Sequence, residues 1–539
     1  MFSKTPPPIL QEFISLLYWT MLAACTVGPG TVVTCARAGS EYGLSLIWAL
    51  VFATILAYTL LEGTARLTIV SGMSLGQCLR VKYKNKANIY NTALICWLVA
   101  ISVYVGNTFY ELNCWAGGID AILAIPGTDN STTLRVLCCI GYAVIVIVLL
   151  YWDKTDKLGV FLGMVMIGMA VLFLIVVIKM GIDWESLGTG FLPNIPDKRE
   201  NAAEPTDMVL SLVSTTALGF NLFLGGSMAE GRQLKSAQRG IAFSTFCAFL
   251  VSSLILIVGS GDYGNEIIDE PADEFEIADI ADAISKFFGT PGVVLYSLGF
   301  ISAALSSMLT VCLGAALTAD SLFSADHKDQ KISKREASGI DNEEIYPDAA
   351  KPDAAKPAAK DETIQNRETK GIDNQGLASD AENQFTDVET EIISVTETKG
   401  RKMPRWIYLG IMFSMVFVST VVISANVDRK TVILIAQVFN GILLPFFCIC
   451  LLLCINDQSF MAQSPQKGWS NVFLSLTVTI TLFLAYNVVI QKVFGSSIEA
   501  YVKFSIAGGL ALVTMIALSV VTSLGRDLLR SFRTYCWTN

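Results

Sequence analysis

Runs of about 20 apolar residues recur along the whole chain, each long enough to cross the hydrocarbon core of a bilayer. Twelve are readable, at roughly 12–39, 44–70, 88–118, 134–152, 158–180, 207–231, 238–260, 286–321, 405–425, 431–454, 470–492 and 502–523. They leave few folds open, because backbone in lipid must satisfy its own hydrogen bonds, which a helix does and an open sheet does not. The expected fold class is an all-α polytopic membrane protein. Composition agrees: 53% of the 539 residues are hydrophobic and 16% are charged, too little charge for a soluble chain of this length. The first ten residues, MFSKTPPPIL, lack a cationic n-region. The first span is therefore expected to be retained, with a cytosolic N-terminus.

Loop charge sets the orientation. Arg80, Lys82, Lys84 and Lys86 follow the second span, Lys154 and Lys157 the fourth, Arg232, Lys235 and Arg239 the sixth, and Arg526, Arg530 and Arg533 the last. All fall on one side if both termini are cytosolic. The opposite side holds Asn130-Ser131-Thr132, which makes Asn130 a glycosylation candidate in a eukaryotic host. It also holds an acidic loop at 261–285, read as solvated rather than as a vestibule. The layout is then a cytosolic N-terminus at 1–11, five spans within 12–180, five more within 207–454, two further spans at 470–523, and a cytosolic tail at 524–539. Residues 324–402 interrupt the second group. Their DAAKPDAAKPAAKDE run and repeated GIDN mark a low-complexity, disordered cytosolic insert.

Several function classes drop out. The net charge of −9 sits largely in loops, so it names no nucleic-acid or other macromolecular partner. Most of the 13 cysteines lie in or beside apolar runs as small hydrophobes. No CxxC pair is present, and the one histidine, His327, lies in the polar insert. No nucleophile–histidine pair, metal triad or phosphate loop supports an enzyme, and no cofactor is expected. The expected partners are the bilayer and a small solute or ion, with a monomer favoured.

The informative anomaly is Gly28-Pro29-Gly30, inside the first span. Glycine costs about 1 kcal/mol and proline about 3 kcal/mol in a helix interior. A break facing lipid would leave backbone groups unpaired, so breaks persist where they line a protein cavity. A second interruption falls at Gly219, Gly225 and Gly226 of the sixth span. Interruptions at matching places in two five-span halves are the sequence sign of an inverted-repeat transporter with a site at the membrane midplane.

The same residues carry a family resemblance. The stretch 28–72, with AGSEYG at 38–43 and LEGTARLTIVSG at 61–72, resembles the first two spans of the NRAMP (natural resistance-associated macrophage protein) family. LGFNLFL at 218–224 stands where that family has M-P-H-N-L-F-L, SLGFISAALSSMLTVCLGAAL at 297–317 resembles its eighth span, and AQVFNGILLPF at 436–446 its tenth. The resemblance implies a LeuT-like fold of two inverted five-helix repeats with broken first and sixth helices. It also implies proton-coupled transport of divalent metals.

The departures from that pattern bear on function. The family's metal-binding Asp and Asn of D-P-G-N become Gly28 and Thr31, and its sixth-span Met becomes Leu218. An Asp offsets the stripping of water from a dication, and a Met favours transition metals. Of the family's ligand side chains, Gln437 remains. The family's sixth-span His falls at Gly225, and its acidic third-span residues meet the apolar segment 98–106, with Glu111 beyond it. Glu62 and Arg66 read as a structural i,i+4 pair. The expected substrate contacts are Gly28, Pro29, Gly30, Thr31, Thr34, Thr215, Leu218, Gly219, Phe220, Asn221 and Gln437. Arg37, Glu111 and Glu230 are the coupling or gating candidates; Arg37 has Glu41 as an alternative, structural partner.

Two kinds of function stay open. One is a secondary transporter in the plasma membrane or an organelle membrane. Its substrate would be a small anion or zwitterion, which half-helix N-termini favour, or a partly hydrated cation, which the family favours. The other is a non-transporting receptor or scaffold. A tail of about 15 residues after the last span, by these boundaries, argues against it.

Overall fold

The computed structural model describes residues 19–521 except 20–21, 24, 85–88, 126–130, 153–167, 169, 182, 199–201, 203, 261–276, 324–402, 426, 462–467 and 495–499. Asn130, His327, the insert, the two terminal segments and most of the acidic loop lie outside the described residues.

Among the described residues the long helices follow apolar sequence. The elements are α1 Pro29–Tyr42, α2 Ile47–Ser71, α3 Leu75–Lys82, α4 Ile89–Leu123, α5 Thr132–Trp152, α6 Ala170–Met180, α7 Trp184–Gly190, α8 Pro205–Thr216 and α9 Gly219–Ala229. They continue as α10 Leu234–Ser260, α11 Ile277–Phe323, α12 Arg405–Ser424, α13 Arg429–Ile455, α14 Gln458–Met461, α15 Gly468–Phe494 and α16 Ala500–Val521. Among the described residues, ten helical stretches are long and apolar enough to cross a membrane. One of them, Pro29–Ser71, contains parts of two expected spans, and Ala170–Met180 is a shorter apolar helix within the expected fifth. Each of the twelve expected spans therefore coincides with at least one helix. The chain has an all-α polytopic architecture.

Local chemistry explains the boundaries. Gly43 (φ 60°) separates α1 from a 3-10 turn and α2, and Gly72 (φ 65°) ends α2 in the left-handed conformation that suits glycine. Ser74 and Gln77 form a capping box at the start of α3. Helix α4 has 35 residues, about 52 Å, and reaches past the expected end at 118. Helix α11 begins at Ile277 rather than 286 and is interrupted at Gly289 (φ 62°), two residues before Pro291.

The first span is broken as expected, one step early. Residues 22, 23, 25 and 26 are helical, Val27 and Gly28 are not, and helix resumes at Pro29. Proline suits that first helical position, where its missing N–H is not needed. The sixth span breaks at Ala217 and Leu218, between α8 and α9, just before the expected Gly219; Gly225 and Gly226, expected to interrupt it, lie within α9. The two halves of the first span meet α10 differently. The N-terminal half seats Trp19 on Gly240, where a Cβ would lie 2.0 Å from the indole. The C-terminal half makes backbone contact: a Cβ on Gly39 would lie 2.2 Å from the Leu256 carbonyl, and one on Gly259 2.2 Å from that of Ala36. Trp19 joins Leu22, Cys25, Leu61, Ala65, Leu224, Met228, Ala237 and Ile241 in one buried cluster. Exposed apolar side chains such as Leu94, Ile101, Leu137, Val144, Leu512 and Ile516 face outward from α4, α5 and α16, as a lipid-facing surface requires.

Candidate functional site

The break in the first span is the centre of a buried polar cluster. Gly28 is the N-cap of α1, in extended conformation. Thr31 Oγ1 donates to the Thr26 carbonyl (2.7 Å), bridging the gap between the halves, and Thr26 Oγ1 donates to the Leu22 carbonyl (2.8 Å). Asn221 of α9 donates from Nδ2 to Thr26 Oγ1 (3.3 Å), so the second break is tied to the first. Ser214 of α8 donates to the Gln437 carbonyl (2.8 Å), tying α8 to α13.

The two glycines give side chains from other helices access to the backbone. A Cβ at Gly30 would lie 1.8 Å from Gln437 Nε2 and 2.2 Å from Asn113 Nδ2. A Cβ at Gly28 would lie 2.8 Å from Ser307 Oγ and 3.0 Å from the Tyr110 hydroxyl. The site is thus built by α1, α4, α11 and α13, and every atom nearest the glycines is uncharged. Gln437 and Asn113 are fully buried, and neither atom of either carboxamide has a hydrogen-bond partner within the protein. Thr34 Oγ1 and Asn221 Oδ1 are also buried without a partner. Buried amides are ordinarily bonded, and each unmet group costs about 1–3 kcal/mol. Two unmet carboxamides on one face of a helix break mark a place for water or a polar ligand.

The expected site residues divide. Gly28, Gly30 and Gln437 are brought together, with Pro29 packed on Gly117. Thr31 and Thr215 lie in the two broken spans, but their hydroxyls donate to the carbonyls of Thr26 and Leu212; of the three expected threonines, Thr34 keeps its hydroxyl for a ligand. On the second break, Leu218 is the buried N-cap of α9, Phe447 packs on Gly219, and Phe220 meets the Tyr110 ring edge-on at 5.5 Å. Gly225 lies against Leu61, where a Cβ would be 2.8 Å away. Arg37 pairs with Glu41. Glu62 accepts from Arg66 Nε (3.0 Å) and from Gln238 Nε2 (2.7 Å), giving the pair a third member. Glu230 is exposed at the C-cap of α9, away from the cluster. Glu111 is fully buried, with Oε1 accepting from Trp115 Nε1 (3.0 Å) and Oε2 without a hydrogen-bond partner.

Tyr110, Asn113 and Ser307 are site residues the sequence reading did not select. A signal for the first two exists: Asn107, Tyr110, Glu111, Asn113 and Cys114 put polar groups about one turn apart in the apolar α4. For Ser307 the run of small hydroxyl residues in α11 (Ser302, Ser306, Ser307, Thr310) is a weaker one.

Paired helix breaks, joined by a buried polar cluster, define a class of membrane protein with a midplane site between two helix-repeat halves. Sequence comparison specifies the class. The profile of the family described as Natural resistance-associated macrophage protein-like matches residues 20–335 and 391–491. The chain belongs to the NRAMP family, and its fold is the LeuT-like one. It is 22% identical over 309 residues to the rice (Oryza sativa subsp. japonica) "Metal transporter Nramp3", covering 54% of this chain and 53% of that protein. The chain thus spans about half the length of the rice relative. It is 20% identical over 323 residues to a Staphylococcus aureus "Divalent metal cation transporter MntH", covering 57% of this chain and 69% of the relative. In structure it resembles a mutant of the Eremococcus coleocola manganese transporter, with a TM-score of 0.60 at 16% identity over 98% of this chain and 97% of that one. Among the described residues no group of three or more His, Cys, Asp or Glu side chains is placed to hold a metal ion.

Proposed function

We propose that the chain is a secondary-active membrane transporter. Its central site does not take Mn²⁺ or Fe²⁺ by carboxylate and thioether ligation, and its substrate is a small anion or zwitterion. Membership of a family whose relatives are named as metal transporters supports transport. One observation carries the departure from metals: the atoms nearest Gly28 and Gly30 are the neutral groups of Ser307, Tyr110, Asn113 and Gln437. Neutral donors repay little of the cost of dehydrating a dication. Amide N–H and hydroxyl groups beside a half-helix N-terminus suit a carboxylate or a small oxyanion.

A second reading has its own observation. Glu111, adjacent in sequence to Tyr110, is a buried carboxylate with one oxygen lacking a hydrogen-bond partner. A carboxylate of this kind favours a cation carried with much of its water, with the oxygens of Gln437 and Asn221 as further candidate ligands.

The test is uptake into proteoliposomes from a panel of Mn²⁺, Mg²⁺, bicarbonate, chloride and amino acids, with and without a proton or sodium gradient. Saturable uptake of an anion or amino acid that fails in Gln437→Ala is the expected result. Saturable Mg²⁺ uptake lost in Glu111→Gln selects the second reading. Saturable Mn²⁺ uptake lost in Gln437→Ala overturns the departure from metals. No uptake of any solute by well-folded protein favours a receptor or scaffold.

A further inference from the structure

Helices α4 and α13 run antiparallel and meet along one seam. Toward the N-terminal end of α4, a Cβ on Gly106 would lie 3.0 Å from Leu443 and 3.1 Å from Asn440 Oδ1. The rings of Phe109 and Phe439 follow, 4.5 Å apart. At the centre the amides of Asn113 and Gln437 converge on Gly30. Farther along, Asp120 forms an ion pair with Arg429. Asp120 is seven residues beyond Asn113, and Arg429 eight before Gln437. At the helical rise the pair stands about 10–12 Å from the unmet amides, on the same seam. Loop charge makes that end non-cytosolic. Tyr296 of α11 lies within electrostatic reach of Asp120, and Cys139 of α5 lies within reach of Arg429.

The chemistry of this contact is unusual for a helix seam. Both side chains are largely enclosed, at 19% and 15% exposure. Enclosing charge costs desolvation, and two helices that only need to stay together are held as well by apolar residues. An ion pair suits a contact that separates into water, where each partner is solvated again. We propose that the Asp120–Arg429 pair is the gate at the non-cytosolic end of the central site. Joined, it seals the seam above the amides; parted, it admits water and solute to them. The proposal rests on reading the cluster as a substrate site, but its test needs no transport.

Cys114 is the reporter. It follows Asn113, is fully buried, and its thiol lies beside the Ser307 hydroxyl. In lipid nanodiscs, alkylation by a small water-soluble reagent is followed at Cys114 by peptide mass spectrometry. Cys448, also fully buried, is the reference. Asp120→Asn and Arg429→Gln are each expected to raise the Cys114 rate about tenfold, as a shift toward the open state would. Cys448 should stay unchanged. The charge-reversed double variant, Asp120→Arg with Arg429→Asp, should return the rate toward that of the native chain. An unchanged Cys114 rate in both single variants overturns the gate. So does a double variant as reactive as the singles, or a parallel rise at Cys448, which would mean general loosening. A protein that shows this labelling pattern but carries no solute in proteoliposomes keeps the gate and loses the transport reading.

Discussion

The breaks in the first and sixth spans hold matching places in the sequence but differ in what surrounds them. Around Gly28 and Gly30 the neighbours are amides and hydroxyls brought in from α4, α11 and α13. Around Leu218 and Gly219 they are largely rings and aliphatic chains: Phe447 lies on Gly219, Phe220 on Tyr110, and Phe223 meets Phe447 edge-on at 6.1 Å. Asn221 crosses from the second to the first by a hydrogen bond, through Thr26. The first break presents polar groups and the second closes over them with apolar bulk. Matching interruptions therefore locate a midplane site without dictating that both breaks supply its chemistry.

The largest expected effect comes from filling the polar break. Gly30→Ala puts a methyl group into both amides at once, and overpacking of this kind costs about 1–3 kcal/mol. It should lower the melting temperature and abolish solute binding in calorimetry. Gly219→Ala meets the Phe447 ring at 2.3 Å, so it should destabilise while leaving the polar cluster able to bind. Equal loss of binding in the two variants would erase the distinction between the breaks.

A smaller but more specific effect tests the loss of the metal site. Gly28→Asp, Thr31→Asn and Leu218→Met restore the side chains that the family resemblance assigns to metal binding. Ser307→Ala must accompany them, because Ser307 Oγ would stand 2.8 Å from the new Cβ. One buried carboxylate in contact with a dication should improve Mn²⁺ affinity by about tenfold or more, even at a high effective dielectric. Calorimetry on both proteins decides it. Micromolar Mn²⁺ binding by the native chain, lost in Gln437→Ala, would mean that the polar break still holds metal.

Next in size is a trade of function for stability. Replacing Asn113 by Leu removes a carboxamide that has no partner within the protein, which should raise stability by about 1 kcal/mol while solute binding is lost. A melting temperature that falls instead would indicate that water already satisfies the amide. The smallest effect is expected away from both breaks. The Met403 backbone N–H donates to Asp320 Oδ1 at 2.8 Å, so the residues flanking 324–402 already meet. Exchanging that insert for a short Gly-Ser linker should leave the melting temperature within about 0.5 kcal/mol equivalent and the uptake profile unchanged.

The spans and the breaks were legible because each is written locally: apolar runs of bilayer length give the helices, and the Gly28-Pro29 pair and Gly219 mark the edges where helix resumes after each interruption. The lining of the site was legible only in part. Gln437 came through the resemblance, whereas Asn113, Tyr110 and Ser307 became site residues through pairing between helices far apart in sequence. Thr31 and Thr215 read as free donors, because nothing in the sequence says that a hydroxyl near a helix break turns back to a carbonyl. The apolar cover on Gly219 was equally hidden, since Phe447 sits 228 positions away.

The hydrogen bond from Thr31 to the Thr26 carbonyl has a mechanical consequence. It pins the two halves of the first span at one point, so they act as levers on a common pivot. One arm, α1, is clamped by its backbone contacts at Gly39, and the other carries Trp19 on Gly240. Trp19 is seven residues from Thr26, so a tilt of about 10° about the pivot displaces it by about 2 Å along an arc. A bare glycine seat offers no side chain to follow that motion, so such a tilt is felt first at the Trp19–Gly240 contact.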